Sequence, residues 1–314
     1  MSEWELVKDR TASAGAVWRS ADGQYFKRTG GSEVTEESGH QSLLSELGFP
    51  VPQPTQSGTD GTLNYFIEPS AGQRTLHELA LEQGRASNGR VGDALVDRSA
   101  EISAKLLQAQ ARNPLPTDEV SLRRWFSDAG FTAVVFTENP DLDTPVVHSL
   151  IDQAVDRLSE VPMCHSHLDY GLPNVFDDTV IDWQHHAPAP LGYDVYPMLD
   201  IAAFKGGGRG YAFSPEQRLR YVSALDEVAK SLSGQALSLY LGDFLLVKCF
   251  FFLALMRPKP GQGTRPDKQR KWLYRRKLFT LGVDEYAKSR TIDTGLFPKL
   301  SEFEDTSGKP HPRP

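Results

Sequence analysis

The stretch that decides how this chain folds reads Cys164-His-Ser-His-Leu-Asp-Tyr-Gly-Leu-Pro-Asn-Val-Phe-Asp-Asp-Thr-Val-Ile-Asp-Trp-Gln184. It carries a carboxylate at Asp169, an amide at Asn174, and a further carboxylate at Asp182 beyond a short apolar hairpin. Asn and Asp oxygens are hard ligands of the kind Mg²⁺ prefers, a few of them together with water and phosphate oxygens. The spacing therefore predicts a site where magnesium and a phosphate group meet a third carboxylate.

The rest of the chain divides into a strand-rich beginning and a helical majority. Short strand patterns occur at residues 3–7, 16–19, 24–28 and 63–68. Between the second and third of these, Asp22-Gly23 is a strong hairpin signal. Helical spacing follows at residues 34–47, 91–110, 148–158 and 214–232. This order predicts an α+β plan, with a small β-sheet N-lobe at 1–69 and a large, mainly helical C-lobe at 70–314.

With the quoted motif as its centre, the sequence resembles the aminoglycoside phosphotransferase family, a branch of the protein-kinase-like small-molecule kinases. Family members read His-Gly-Asp-Leu-x-x-x-Asn and then Ile-Asp-Trp. This chain reads His167-Leu-Asp-Tyr-Gly-Leu-Pro-Asn174 and Ile181-Asp-Trp183, with Leu168 where the family has Gly. The resemblance covers roughly residues 4–205 and implies a protein-kinase-like, two-lobed fold with a nucleotide cleft between the lobes.

The resemblance assigns roles to the residues of the motif. Asp169 would be the catalytic base or would orient the attacking hydroxyl, and Asn174 and Asp182 would hold Mg²⁺. Asp200 would brace the catalytic loop. From the residues themselves, His167 is expected to support that loop through a hydrogen bond. The implied reaction moves the γ-phosphate of ATP or GTP onto a hydroxyl group.

The resemblance also assigns nucleotide contacts in the N-lobe. Lys27 would bind the α- and β-phosphates, and Tyr25 would stack on adenine. Strand periodicity places these two side chains on one face, as both roles require. The partner of Lys27 would be Glu37 on the following helix, with Glu36 as the second choice.

Two further stretches complete the implied nucleotide site. Residues 67–72 resemble the family's hinge, where the Glu68 carbonyl and the Ser70 amide would meet the nucleotide base. Residues 10–16 occupy the place of a Gly-x-Gly-x-x-Gly loop, which this chain lacks. Within them, Ser13 would offer a hydroxyl or amide donor to a phosphate.

Charge is spread unevenly along the chain. The net charge is −7, but Arg257–Lys277 contains nine Lys or Arg and one Asp, so the rest of the chain carries −15. An acidic body disfavours general nucleic-acid binding and suits a cationic ligand. The basic stretch is expected to be a solvated loop and helix face, with phosphate or nucleic acid as the alternative occupant.

The chain is expected to work in the cytoplasm, without a membrane partner, as a monomer or a homodimer. Its N-terminus lacks the apolar core of a signal peptide. Its two cysteines, Cys164 and Cys249, suggest no disulfide framework. The apolar stretch 239–256 is interrupted by Asp243 and Lys248, so a buried helix is expected there.

A zinc site near Cys164 is the metal alternative to magnesium. Zinc sites in proteins are usually built from four nitrogen and sulfur ligands at definite spacing. No Cys-x-x-Cys is present, and the adjacent side chains of His185 and His186 are expected to diverge. The pattern therefore favours magnesium as the metal, and it predicts Cys164 as a buried strand residue.

The acceptor is the least constrained part of the prediction. Acidic residues of the C-lobe bind acceptor amino groups in the family, so the resemblance implies an aminoglycoside-like or amino-sugar antibiotic. A sugar, a choline-like alcohol, homoserine or a nucleoside are the alternatives within kinases, and both antibiotic resistance and biosynthesis stay open. Outside enzymes, the alternative is a catalytically silent, nucleotide-binding pseudokinase, against which the intact motif residues argue.

Overall fold

The computed structural model describes residues 4–10, 15–116, 121–124, 131–200, 210–255, 266–298, 300 and 303. Within them, the chain forms an antiparallel sheet with one helix, followed by a helical region that holds a second, two-stranded sheet. Ser13, expected as a phosphate donor, lies outside the described residues.

The N-terminal sheet consists of β1 Trp4–Arg10, β2 Gly15–Ser20, β3 Tyr25–Gly30, β4 Gln56–Asp60 and β5 Leu63–Pro69. Its strands are antiparallel, in the order β1-β2-β3-β5-β4. Gly23 has φ +70°, the left-handed backbone that makes Asp22-Gly23 a good hairpin turn. The sequence patterns missed β4, because its five residues are exposed and none has a large apolar side chain.

Helix α1, Ser32–Glu46, packs against β3 and β5. Its buried side chains are Val34, Glu37, Ser38, Gln41 and Leu44. Most of these are polar, so the helix carries hydrogen-bonding groups towards the sheet rather than a purely apolar face. Glu36, one position before Glu37, is exposed.

The helical region contains α2 Leu76–Ala86, α3 Asp93–Arg112, α4 Phe131–Glu138, α5 Pro145–Leu158, α6 Pro215–Ser233, α7 Leu241–Leu255 and α8 Pro266–Ser289. Helix α3 packs on α6, and α7 contacts α4, α5 and α8. Ser214 and Gln217 form a reciprocal capping box at the start of α6, with Pro215 in the first turn.

The apolar stretch around α7 lies inside the helical region. Leu237–Ala254 is the one described segment that is long and apolar enough to cross a membrane, and 78% of it is buried within the protein. Most of its apolar surface is therefore covered by neighbouring helices, which is the environment of a core helix.

A second sheet holds the ends of the motif quoted first. It pairs β6 Met163–Ser166 with β7 Ala187–Pro190, and Cys164 is a buried residue of β6. Between these strands, Val175 and Val180 form an isolated antiparallel bridge, closed by the Phe176 N–H donating to the Thr179 carbonyl at 2.9 Å. The short hairpin predicted between Asn174 and Asp182 is thus confirmed.

The α+β, two-lobed, protein-kinase-like plan is also confirmed. The boundary at residues 69 and 70 stays a prediction. It coincides with the end of β5 at Pro69, before the start of α2 at Leu76.

Candidate active site

Asp169, Asn174 and Asp182 lie together beyond the end of β6. Asn174 Nδ2 donates to the Asp169 carbonyl at 3.1 Å, and the Ile181 N–H donates to the Asn174 carbonyl at 2.9 Å. The second of these bonds brings Asp182 beside Asn174, although the two are apart in the sequence. All three side chains are partly exposed and accessible to a ligand. The structure therefore brings together the three expected residues, whose catalytic and metal-binding roles stay predictions.

The side chains of Asn174 and Asp182 fit a magnesium ion. Because Asn174 directs its Nδ2 at the Asp169 carbonyl, its Oδ1 is left to act as an acceptor. This oxygen and the Asp182 carboxylate form a hard donor set that leaves positions for water and phosphate oxygens. Among the described residues, no group of three or more His, Cys, Asp or Glu side chains is arranged to hold a metal.

His167 joins the catalytic loop to the hairpin. Its Nε2 lies 2.8 Å from the Ile181 carbonyl, which can only accept, so this nitrogen carries the proton. The ring is fully buried and meets Trp183 edge-on, with 4.8 Å between ring centroids. Burial lowers the pKa of His167, despite the attraction of nearby carboxylates. A neutral imidazole thus fixes the residue before Asp182 to the loop, which is the supporting role that the sequence predicts.

The brace of the catalytic loop is Asp194, which sequence reasoning missed. This carboxylate is fully buried. It accepts hydrogen bonds from Ser166 Oγ at 2.7 Å, the His167 N–H at 2.8 Å, the Leu168 N–H at 3.0 Å and Gln110 Nε2 at 3.1 Å. Several donors directed at one carboxylate offset the cost of burying its charge. Asp194 therefore fixes the backbone that immediately precedes Asp169.

Asp200 makes different contacts, so its expected role as the brace is wrong. Its Oδ1 accepts hydrogen bonds from Arg218 Nη1 at 3.3 Å and from the Thr294 hydroxyl. These contacts tie the segment after β7 to α6 and to a 3₁₀ turn near the C-terminus. Asp194 and Asp200 both follow apolar residues in one short segment, and only the fold distinguishes them.

The backbone conformation of Leu168 is one that favours glycine, the residue of the family motif at this position. Its backbone has φ +60°, in the left-handed region. That region costs a residue with a side chain roughly 1–2 kcal/mol, whereas glycine adopts it freely. The hydrogen bond from the Leu168 N–H to Asp194 holds the chain in this conformation. The loop therefore holds Leu168 in a conformation that a glycine would adopt freely.

The cation that β3 turns towards this site is Arg28, not Lys27. Arg28 is buried, and its Nη1 lies 3.1 Å from Glu37 Oε1 and 3.5 Å from Asp182 Oδ1. Lys27 points to the opposite face, where its Nζ lies 3.0 Å from the exposed Asp60. The expected pairing of Lys27 with Glu37 is therefore wrong by one residue. Successive side chains of a strand point to opposite faces, so a shift of one residue moves the charge to the other side of the sheet.

Arg28 belongs to a buried polar network. Its Nε donates to Glu68 Oε1 at 2.7 Å, and Gln41 Nε2 donates to Glu68 Oε2 at 2.5 Å. Burial by itself lowers the pKa of Arg28, but the attraction of Glu68, Glu37 and Asp182 outweighs it and raises the pKa. The network holds more carboxylates than guanidinium groups, so a divalent cation beside Asp182 is electrostatically favoured.

A cavity of about 200 Å³ opens between the sheet and the hairpin. Phe26, Phe176 and Ile181 form much of its apolar wall. Arg28 and Asp182 also line it and supply charged groups. A narrow apolar slot with a few charged groups suits a nucleotide, which has a flat base and anionic phosphates.

The remaining expected nucleotide contacts are placed differently. Tyr25 is 41% exposed, and its neighbour Phe26 is the aromatic residue of β3 that lines the cavity, so the stacking role of Tyr25 stays a prediction. The Ser70 N–H donates to the Gln24 carbonyl at 2.8 Å and is thus already bonded within the protein. Glu68 contributes its buried carboxylate, whereas sequence reasoning gave weight only to its carbonyl.

The arrangement suits the transfer of a phosphoryl group. Arg28 and Asp182 place a guanidinium group and a carboxylate at the cavity. Asp169, on the loop next to them, presents a partly exposed carboxylate to a hydroxyl approaching from outside. Phosphoryl transfer needs positioning, charge stabilisation and a group near the attacking hydroxyl, and these residues can supply each of them.

Comparison with known proteins gives a family and a set of related folds. Residues 32–231, more than half of the chain, match the model of the phosphotransferase enzyme family. No curated protein matches the sequence. A candidate aminoglycoside phosphotransferase from Ralstonia eutropha has a similar structure, with a TM-score of 0.62 at 14% identity, covering 92% of this chain and 93% of that one.

Two other solved structures are similar over most of their length. The ethanolamine kinase of Plasmodium vivax has a TM-score of 0.57 at 12% identity, covering 90% of this chain and 83% of that one. An aminoglycoside phosphotransferase of Streptomyces rimosus, solved with ADP and streptomycin, has a TM-score of 0.46 at 21% identity, covering 77% and 92%. The first of these shares the fold with this chain. On the match of residues 32–231, the chain belongs to the phosphotransferase enzyme family and is a phosphotransferase with a hydroxyl acceptor.

Proposed function

We propose that this chain is a magnesium-dependent small-molecule kinase that transfers the γ-phosphate of ATP or GTP to a hydroxyl group. The observation that carries the proposal is the grouping of Asp169, Asn174 and Asp182 beside a cavity lined by Arg28. In the reaction, a bond forms between the acceptor oxygen and the γ-phosphorus, and the bond to the β–γ bridging oxygen breaks. The hydroxyl proton passes to Asp169, and the nucleoside diphosphate leaves.

The protein's own groups divide this work between two lobes. In the N-lobe, Phe26 and Arg28 line the cavity for the base and the phosphates. In the C-lobe, Asp169 receives the acceptor. Asn174 and Asp182 would hold Mg²⁺, which supplies charge neutralisation of the phosphates when bound.

The first acceptor class is an amino sugar or an aminoglycoside-like antibiotic, which the acidic body of the chain suits. A small metabolic alcohol, choline-like or homoserine, is the second class, supported by the likeness of the fold to that of an ethanolamine kinase. In either case we place the enzyme in the cytoplasm, working on a small molecule rather than on nucleic acid.

The test is a mass-spectrometric screen with Mg-ATP and, separately, Mg-GTP. The acceptors are aminoglycosides, amino sugars, nucleosides, choline, ethanolamine and homoserine. A gain of one phosphoryl group on one acceptor is expected, reduced about 10²–10⁴-fold by Asp169→Asn, because this variant removes the base and retains the shape. Binding of Mg-ADP should survive in that variant.

The matched control is Asp178→Asn, which changes an exposed carboxylate on the nearby hairpin. It should transfer phosphate like the parent protein. If Asp169→Asn transferred phosphate as fast as the parent protein, the proposed role of Asp169 would be wrong. A parent protein that neither binds Mg-nucleotide nor modifies any acceptor would overturn the kinase proposal in favour of a pseudokinase.

A further inference from the structure

The nucleotide cavity has a second cation in its wall besides Arg28. Of the described residues that line it, Lys8 on β1 and Arg28 on β3 carry a positive charge. Sequence patterns gave Lys8 no role, and β1 is an edge strand, where lysines commonly keep a sheet edge soluble. That general role requires no particular face of the strand, so the place of Lys8 in the cavity wall needs another explanation.

A β-bulge turns Lys8 towards the cavity. In the pairing of β1 with β2, Leu6 lies opposite Trp18. The next pair joins Lys8 to Val17, so β1 contains one extra residue, Val7, between the two pairs. In a regular strand Lys8 would share the face of Leu6, two positions earlier, whereas the bulge moves it to the other face. Val7 and Lys8 consequently both line the cavity, as does Val17 opposite them.

The same strand pairing places Lys8 in one row with Arg28. Val17 on the central strand of the three lies opposite Lys8 on one side and opposite Arg28 on the other. Residues directly opposite each other in antiparallel strands project from the same face, and two strand spacings separate the two backbones by about 10 Å. Because Arg28 Nη1 lies 3.5 Å from Asp182 Oδ1, this row is at the end of the cavity that would hold the phosphates.

Arg28 is already bonded to the protein's own carboxylates. Its guanidinium group meets Glu68, Glu37 and Asp182 at 2.7, 3.1 and 3.5 Å. One positive charge faces three negative charges, so a phosphate that approaches Arg28 also meets a surplus of carboxylates. Lys8 is exposed, and among the described residues no carboxylate forms an ion pair with it. Its ammonium group is therefore available to a phosphate.

We propose that Lys8 is a nucleotide-binding residue that contacts the β- and γ-phosphates from β1. This inference rests on the proposed kinase function and adds a cation to its nucleotide site. An ammonium group carries three N–H donors on a flexible stem, so it can follow the oxygens of a phosphate chain. Lys8 and Arg28 thus approach the phosphates from two strands of the same sheet, and the bulge at Val7 is the feature of β1 that makes this possible.

The test compares the affinities of AMP, ADP and the non-hydrolysable analogue AMP-PNP, or of their guanosine counterparts, by calorimetric titration with Mg²⁺. Lys8→Met keeps an unbranched side chain and removes the charge. It should weaken the binding of ADP and AMP-PNP about 10-fold or more, the usual gain from a charge-assisted hydrogen bond, and leave AMP nearly unchanged. Lys8→Arg should retain most of the affinity. The matched control is Lys27→Met, which removes an ammonium group from the opposite face of the sheet and should bind all three nucleotides like the parent protein.

Two results would overturn the role of Lys8. If Lys8→Met bound ADP and AMP-PNP as tightly as the parent protein, the lysine would only protect the sheet edge. If it weakened AMP as much as ADP and AMP-PNP, the residue would support the base, the ribose or the fold rather than the outer phosphates. Because Lys8 is exposed, the midpoint of urea unfolding should be the same in Lys8→Met and the parent protein, which excludes a loss of folding as the cause.

These binding measurements need neither an acceptor nor turnover, so they separate this inference from the kinase proposal. A parent protein that binds no Mg-nucleotide would overturn both. A parent protein that binds Mg-ADP with an affinity that Lys8→Met does not change would overturn the role of Lys8 alone.

Discussion

At the scale of single residues, β3 offers two adjacent cations on opposite faces of one strand. Arg28→Met would leave Glu37 and Glu68 buried without their shared cation, which costs about 3–5 kcal/mol for a buried pair. Lys27→Met would remove a pair with Asp60, which is 69% exposed, and such pairs contribute about 0–1 kcal/mol. We therefore expect the free energy of unfolding, measured by urea denaturation, to fall much further for Arg28→Met than for Lys27→Met.

Affinity for Mg-ATP is a second measurement that distinguishes Arg28 from Lys27. Arg28→Lys keeps one positive charge and should fold, but a single ammonium group cannot reproduce the separate contacts of Nε and Nη1. Its affinity for Mg-ATP should fall, while that of Lys27→Met should not change. If Lys27→Met weakened nucleotide binding and Arg28→Lys did not, Lys27 would be the phosphate-binding cation after all.

The one-residue error at β3 has a physical cause. The strand reads Tyr25-Phe-Lys-Arg28, so each of its faces has one aromatic residue and one cation. The neighbouring β5 is equally ambiguous, since Tyr65 and Ile67 alternate with Phe66 and Glu68. Periodicity tells which side chains share a face, but not which face meets α1 and the cavity. The motif at Asp169, Asn174 and Asp182 was free of this ambiguity, because its spacing fixes a loop and a hairpin.

At the scale of elements, the sequence correctly predicted the turns and helix ends that depend only on a few adjacent residues. The Asp22-Gly23 turn and the capping box before α6 are settled by a few adjacent residues, and both are present. The pairing of β6 with β7 joins Met163–Ser166 to Ala187–Pro190, a strand of alternating Ala and Pro with no strand signature of its own. The pairing of this strand with β6 depends on contacts between distant parts of the chain. The same holds for Asp194, since no local pattern indicates that it contacts the catalytic loop.

The hydrogen bonds of Asp194 lead to a prediction about the catalytic loop. The His167 N–H donates to Oδ2 of Asp194 and the Leu168 N–H donates to Oδ1, so in Asp194→Asn an NH₂ group replaces the acceptor of one of these two bonds. The loop that carries Asp169 should loosen, and kcat should fall by about 10²-fold, the usual cost of a misplacement near 1 Å. The KM for Mg-ATP should change little, because Arg28 and the cavity are on other elements.

Asp200→Asn is the matched control, since it alters another buried aspartate that does not contact the loop. It is expected to destabilise the protein and to leave kcat within about 3-fold of the parent value. The contacts of Asp200 lie outside the catalytic loop, so the substitution should not move Asp169. Hydrogen exchange gives a direct readout, in which the amides of His167 and Leu168 should exchange faster in Asp194→Asn alone. Equal effects of the two variants on kcat would show that Asp194 is merely one of several structural carboxylates.

At the scale of the whole molecule, a histidine cluster connects the N-lobe helix to the C-lobe. The His40 ring of α1 stacks on His186, with centroids 3.5 Å apart and planes within 10° of parallel, and lies 5.5 Å from His165. Burial, with smaller contributions from His186 and His165, lowers the pKa of His40 to about 3. The same helix carries Glu37 to Arg28, so this contact helps to set the position of the nucleotide site relative to the C-lobe.

The depressed pKa of His40 makes the stability of the whole molecule depend on pH. Its ordinary value is about 6.5, so between pH 6.5 and 3 the unfolded chain binds the proton and the folded chain does not. Stability is therefore complete above pH 6.5 and falls as the pH is lowered, by at most about 1.4 kcal/mol per pH unit for one such group. Urea unfolding from pH 7.5 to 5 should show a flatter dependence for His40→Gln than for the parent protein. His185→Gln changes an exposed neighbour and should retain the parent dependence of unfolding free energy on pH. If His40→Gln also retained it, the cluster would not couple protonation to folding.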